Sequence, residues 1–226
     1  MLGQLVLEPG GWGRAAPGRL YGLSVLRAAA DPEGFWGERR LRRAVRSLRR
    51  GGALRVLTPE NFDRWPVLTA LGLRPVEPER FVRAQAAPLA LAALERRDVP
   101  PGRATVALRG GRADRDMART AAALCPLVRR LVIDAPRGGE ELALWLRREF
   151  GVPVLPGGER GEIALSFQEG RIVPEEASLE LWGSRPRLAG LTLSAPGLEE
   201  GDREELPLLA ALWEGGKLSP EDIKIT

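Results

Sequence analysis

The chain has 226 residues, 44% of them hydrophobic and 28% charged, with a net charge of +4. That balance excludes a disordered or collagenous chain and leaves enough apolar material for one large or two small cored domains. With no His and a single Cys, Cys125, it also excludes His acid–base and triad chemistry, His metal ligation, a Cys-rich zinc site and an intrachain disulfide.

The basic residues are almost all Arg; the only lysines are Lys217 and Lys224. Ala, Gly, Leu and Pro are abundant too, as GC-rich coding would favour, so Arg content alone does not indicate nucleic-acid binding. The charge is uneven. Residues 1–150 hold 27 Arg and 16 Asp or Glu, a net of +11, and residues 151–226 carry the remainder, −7. The basic part is suited to an anionic partner, or to the acidic tail itself. The longest uncharged apolar stretch near a helix, 84–94, is too short to span a bilayer, and residues 1–8 lack the pattern of a signal peptide. The expected location is the cytoplasm, without membrane insertion.

In chain order, residues 4–7 read as a strand ended by Pro9-Gly10-Gly11, and 19–27 as a second strand. A helix is predicted over 38–50, with Leu41, Ala44, Val45 and Leu48 on one face and Gly51-Gly52 as its stop. A strand at 53–57 leads to Thr58-Pro59-Glu60, which has the residue types of a helix start, and a helix to 71 split at Pro66. Another helix is expected over 78–97, interrupted at Pro88.

Pro100-Pro101-Gly102 punctuates the chain and suggests domains of 1–100 and 101–226. Beyond it, strands at 104–109, 130–134, 152–155 and 162–168 alternate with helices at 114–124 and 139–150. Such alternation argues for a parallel sheet with covering helices. In the tail, 163–173 looks like a hairpin turning at Glu169-Gly170, with strands at 178–182 and 188–194 and a helix at 204–214. Trp145 and Trp213 are expected in cores, and Trp12 and Trp36 at exposed turns. The fold expected is α/β: a Rossmann-like parallel sheet in the C-terminal half, a smaller N-terminal α/β part, and extra edge strands in the tail.

Within 103–168, a helix leads into the strand Thr105-Val106-Ala107-Leu108. Arg109-Gly110-Gly111-Arg112, a second helix, and a strand ending Val132-Ile133-Asp134 follow. This order resembles the NAD(P)-binding domain shared by shikimate dehydrogenase and glutamyl-tRNA reductase. The resemblance implies a dinucleotide with its pyrophosphate over Gly110 and Gly111 and its ribose at Asp134, where Arg137 would meet a 2′-phosphate. The sequence departs from the pattern in its loop, where Arg112 and Arg115 stand where glycines belong. The catalytic Lys–Asp pair of shikimate dehydrogenase is missing, since residues 1–216 contain no Lys. The Cys nucleophile of glutamyl-tRNA reductase is missing too, since residues 1–124 contain no Cys.

The candidate ligand site is therefore Arg109, Gly110, Gly111, Arg112, Arg115, Asp134 and Arg137. Its arginines suit a small anion better than a long dinucleotide. The plainer reading makes Gly110-Gly111 a turn and Asp114 an N-cap. The expectation is a degenerate, non-catalytic Rossmann-like protein with a binding or regulatory role and no resident cofactor. One alternative is an NAD- or NADP-dependent oxidoreductase with a non-standard phosphate loop. Another is a module that uses Arg39, Arg42, Arg43, Arg46, Arg49 and Arg50 to bind nucleic acid or an acidic protein. Cys125, between an alanine-rich helix and Pro126, is expected to be a small core residue. Acidic neighbours such as Glu140-Glu141 and Glu175-Glu176 are expected at the surface.

Overall fold

The computed structural model describes residues 1–169 and 177–226. The chain forms two compact units, one of Met1–Glu77 with Pro196–Ser219, the other of Pro78–Ala195 with Pro220–Thr226. The division thus falls at Glu77–Pro78, and the tail contributes to both units. Pro101 to Arg103 form a short 3-10 turn inside the second unit.

The first unit opens with β1 (Leu2–Leu7), β2 (Trp12–Leu20), β3 (Leu23–Ala30), α1 (Gly37–Arg50), β4 (Arg55–Leu57), α2 (Trp65–Ala70) and β5 (Arg74–Pro75). Its sheet has the order β2-β3-β1-β4-β5. β1, β3, β4 and β5 run parallel, and β2 is antiparallel to β3. The predicted strand at 19–27 is instead a hairpin. Tyr21 and Gly22 turn the chain with φ of 46° and 80°, the two positive values a two-residue type I′ turn requires. α1 follows its apolar stripe: Leu41, Ala44, Val45 and Leu48 are fully buried against Leu5, Leu26 and Ala28. Thr58-Pro59-Glu60 starts no helix. α2 begins only at Trp65, where Pro66 suits the first turn, and it buries Leu68 alone.

The second unit begins with α3 (Glu79–Ala84) and α4 (Ala86–Glu95), divided at Gln85 while Pro88 sits in the first turn of α4. There follow β6 (Thr105–Arg109), α5 (Arg115–Leu124), β7 (Arg130–Asp134), α6 (Gly139–Phe150), β8 (Val154–Leu155), β9 (Ile163–Ser166), β10 (Ala177–Glu180) and β11 (Leu193–Ser194). The chain then returns to the first unit for α7 (Leu206–Glu214) and ends in β12 (Lys224–Ile225), antiparallel to β11.

The second sheet has the order β10-β9-β6-β7-β8 with every neighbour parallel. β6, β7 and β8 are adjacent, as the strand–helix alternation predicted, and the fold is a Rossmann-like α/β sheet. The hairpin expected over 163–173 has its second arm outside the described residues, as does the Glu175-Glu176 pair. β9 itself pairs in parallel with β6 and β10. α6 matches its predicted bounds, with Glu140 and Glu141 in its first turn and Arg147 and Arg148 in its last, which suits the helix dipole. Trp145 departs from expectation: it is 42% exposed and packs edge-on against Phe150. Cys125 is buried, and burial pushes its thiol pKa up, as suits an inert core residue. Among the described residues, no helix is long and apolar enough to cross a membrane.

Candidate functional site

The strand order of the second sheet changes direction at β6, while all its strands stay parallel. β7 and β8 lie on one side of β6, and β9 and β10 on the other. In such sheets ligands bind beyond the carboxyl ends of the strands at that point. The residues there are Arg109 and Gly110 at the end of β6, Ser166 and Phe167 at the end of β9, and the loop after β7.

All five residues of β6 are buried, as expected for a central parallel strand covered on both faces. Arg109, the last, is only 4% exposed. It lies in register with Asp134, the last residue of β7, so the two side chains share a face. Arg109 Nη1 donates to Asp134 Oδ2 at 2.6 Å and Nη2 to the Glu159 carbonyl at 2.9 Å. Asp134 Oδ1 lies 3.0 Å from where a Cβ on Gly157 would stand. The Asp134 carboxylate is thus committed to neutralising a buried guanidinium.

The loop after β6 is tied to the loop after β7. The Gly110 amide donates to the Asp134 carbonyl at 2.9 Å and the Ala113 amide to the Arg137 carbonyl at 2.8 Å, with Arg112 and Arg137 bridged between. These amides serve the neighbouring loop and do not converge on a pyrophosphate. The Gly111 amide meets Gln168 Oε1 at 3.3 Å. A Cβ on Gly111 would lie 2.7 Å from that oxygen, so Gln168 fills the notch the glycine leaves. Asp114 caps α5 by accepting from the Met117 amide at 2.9 Å, as the plainer reading expected. Arg112, Arg115 and Arg137 are all exposed; the backbone bridge holds two of them side by side, and Arg115 begins α5.

Arg83, on α3, belongs to the same crevice. Its guanidinium pairs with Glu79 at 2.8 Å and Asp114 at 3.4 Å and donates to the Phe167 carbonyl. Glu79 in turn accepts from the Gly183 amide at 3.1 Å. The i,i+4 Glu79–Arg83 spacing was the only sequence signal for this group. Its long-range partners were invisible. Among the described residues, no cluster of three metal-ligating side chains occurs.

The predicted basic helix lies in the first unit. Arg39, Arg42, Arg43, Arg46 and Arg50 are exposed. Arg49 is half-buried and caps the Ala53 carbonyl at 2.7 Å. Arg42 pairs with Glu38 at 2.6 Å.

The first unit also holds a small pocket beside β1 and the end of β4, about 190 Å³, lined by Gln4, Leu57, Thr58, Asp202, Glu205 and Leu208. Burial raises the Glu205 carboxyl above its ordinary value, and Asp202 and Glu60 add to that. At the same place the Tyr21 hydroxyl donates to Asp202 Oδ2 at 2.5 Å. Burial and then this bond push the Tyr21 pKa up to about 12. A raised phenol pKa stabilises the fold fully below the unfolded value near 10, and the contribution disappears as pH rises through 12. Tyr21 is the only tyrosine, so tyrosinate absorbance reads it alone. At pH ~10, where a free phenol is half ionised, little tyrosinate should form, and Asp202→Ala should bring the midpoint down. A wild-type midpoint near the free value would show that the bond to Asp202 is not made.

No protein-family model matches the chain, and no curated protein matches it. Among solved structures, the chain is similar to L-tryptophan dehydrogenase from Nostoc punctiforme, with 16% identity and a TM-score of 0.32. The match covers 73% of this chain and 55% of that one; the chain spans about half the length of that relative.

Proposed function

We propose that the Rossmann-like unit is a non-catalytic binding or regulatory module whose dinucleotide cleft has been closed, and that it takes a compact anion at Arg112, Arg115 and Arg137. The observation that carries this reading is the Arg109–Asp134 pair, 2.6 Å long and nearly buried at the arginine. A ribose diol would have to take Asp134 from Arg109 and so break a nearly buried ion pair, which costs several kcal/mol, on the order of 3. The loop amides point the same way, since Gly110 and Ala113 already serve carbonyls of the next loop. Gln168 is a weaker obstacle, because an exposed side chain can swing aside. What remains available is charge: three exposed guanidinium groups whose flat forks suit phosphate, sulfate or carboxylate.

Calorimetric titration with NAD, NADP and inorganic phosphate tests this. Phosphate should bind and lose most of its affinity in Arg112→Ala and Arg137→Ala, while either dinucleotide should bind very weakly. Micromolar dinucleotide binding, lost in an Asp134→Asn variant shown to remain folded, would restore the oxidoreductase reading.

A further inference from the structure

α1 carries its exposed charge in a line. Trp36, Arg39, Arg43, Arg46 and Arg50 are spaced by three, four, three and four residues. Side chains at that spacing stand above one another on a single helix face. All five are exposed, and the line is about 21 Å long at 1.5 Å per residue. Arg is the common basic residue throughout this protein, so its presence alone means little. The absence of acids is more informative: the chain has 30 Asp and Glu, and none is on the line. The helix's one acid, Glu38, lies to the side and is already paired with Arg42 at 2.6 Å. Among the described residues, no carboxylate pairs with Arg43, Arg46 or Arg50.

The head of the line is aromatic. Phe35 is 92% exposed and Trp36 52% exposed, and their rings meet edge to face with centroids 5.0 Å apart. The Arg39 guanidinium lies 5.3 Å from the Trp36 ring centre, a cation–π contact. Two large rings left in water at the end of a cationic row suit a partner that offers both anions and flat apolar faces. An acidic protein segment offers carboxylates, but flat faces only where it also carries aromatic residues. Duplex nucleic acid offers phosphates but keeps its base faces stacked inside. A single strand presents both.

We propose that the N-terminal unit binds single-stranded nucleic acid along α1. Arg39, Arg43, Arg46 and Arg50 contact successive phosphates, and Phe35 with Trp36 forms the platform for a base. This goes beyond the anion site of the second unit and uses none of its residues, so either can fail without the other.

The test is fluorescence anisotropy of the full chain with a labelled short oligothymidylate, repeated across salt concentrations. Binding should weaken with salt at a log–log slope of about −3, as four neutralised phosphates predict. Phe35→Ala with Trp36→Ala should weaken it by roughly 10- to 100-fold at an unchanged slope. Arg43→Glu with Arg46→Glu should abolish it, whereas Arg43→Lys with Arg46→Lys should retain most of it, with circular dichroism confirming that each variant is folded. The proposal is overturned by no binding at low salt, by indifference to loss of the two rings, or by a duplex or heparin that binds as tightly as the single strand.

Discussion

Asp134→Ala will lower the stability of the protein by about 3 kcal/mol, measured as a fall in the urea midpoint at unchanged slope. The carboxylate itself is partly open to water, its side chain 22% exposed, so losing it would cost little if it stood alone. Its partner decides the size of the effect. The Arg109 side chain is 5% exposed at the end of the central strand, and without Asp134 it would lose an ionic partner 2.6 Å away while keeping acceptors such as the Glu159 carbonyl at 2.9 Å. Removing one member of a buried pair leaves the other's desolvation uncompensated, whereas replacing both by apolar groups of similar size is often close to neutral. The double variant Arg109→Met, Asp134→Leu should therefore recover most of what Asp134→Ala loses. A single variant that loses under about 1 kcal/mol would show that Arg109 does not depend on Asp134 and remove the main obstacle to a dinucleotide.

Gly37→Ala will also destabilise, by about 2–3 kcal/mol, although alanine is the better helix former by up to ~1 kcal/mol. Gly37 is the first residue of α1 and is buried. A Cβ there would stand 2.0 Å from the Pro32 carbonyl oxygen, which is backbone and cannot rotate away. The strand-to-helix connection of residues 31–36 would have to shift. Asp31 holds that connection, accepting from the Gly10 amide and the Arg40 guanidinium. A urea midpoint equal to or above wild type would show that the connection yields freely.

The readable parts of this sequence were those where local chemistry and tertiary packing agree. α1 and α6 each combine an apolar stripe, suitable end charges and a glycine stop, and both were visible almost to the residue. The parallel order of β6, β7 and β8 followed from the repeated short crossovers. The hairpin at Tyr21 was not visible, because tyrosine is not a residue that signals positive φ. The false helix start at Thr58 had the right residue types but no apolar stripe behind it to bury.

The residues at the strand ends were legible, but their pairing was not. Arg109 and Asp134 were both picked out, yet as separate ligand contacts. Their common use required the register of β6 on β7, which aligns the last residue of each strand. A charged residue ending a wholly buried strand, facing an opposite charge at the same place in the next, is a signal that register makes readable. Arg83 and Gln168 reach the crevice from 26 residues before Arg109 and from beyond β9, and no local pattern announces such partners.

The division of the chain bears on the order in which it can become folded during synthesis. The first unit needs α7, whose Leu208, Leu209 and Leu212 are buried and whose Glu214 pairs with Arg55 at 2.7 Å. The residue after α7, Gly215, lies so close to Leu23 that an added Cβ would stand 2.2 Å from it. None of this is available until residues beyond 206 have left the ribosome. The unit that begins at the N-terminus has its whole sheet translated first but receives α7 late, after the strands of the second sheet have emerged. During that interval the apolar surface that α7 will cover is exposed to chaperones and proteases, so a stalled or truncated chain is most vulnerable in the part made earliest.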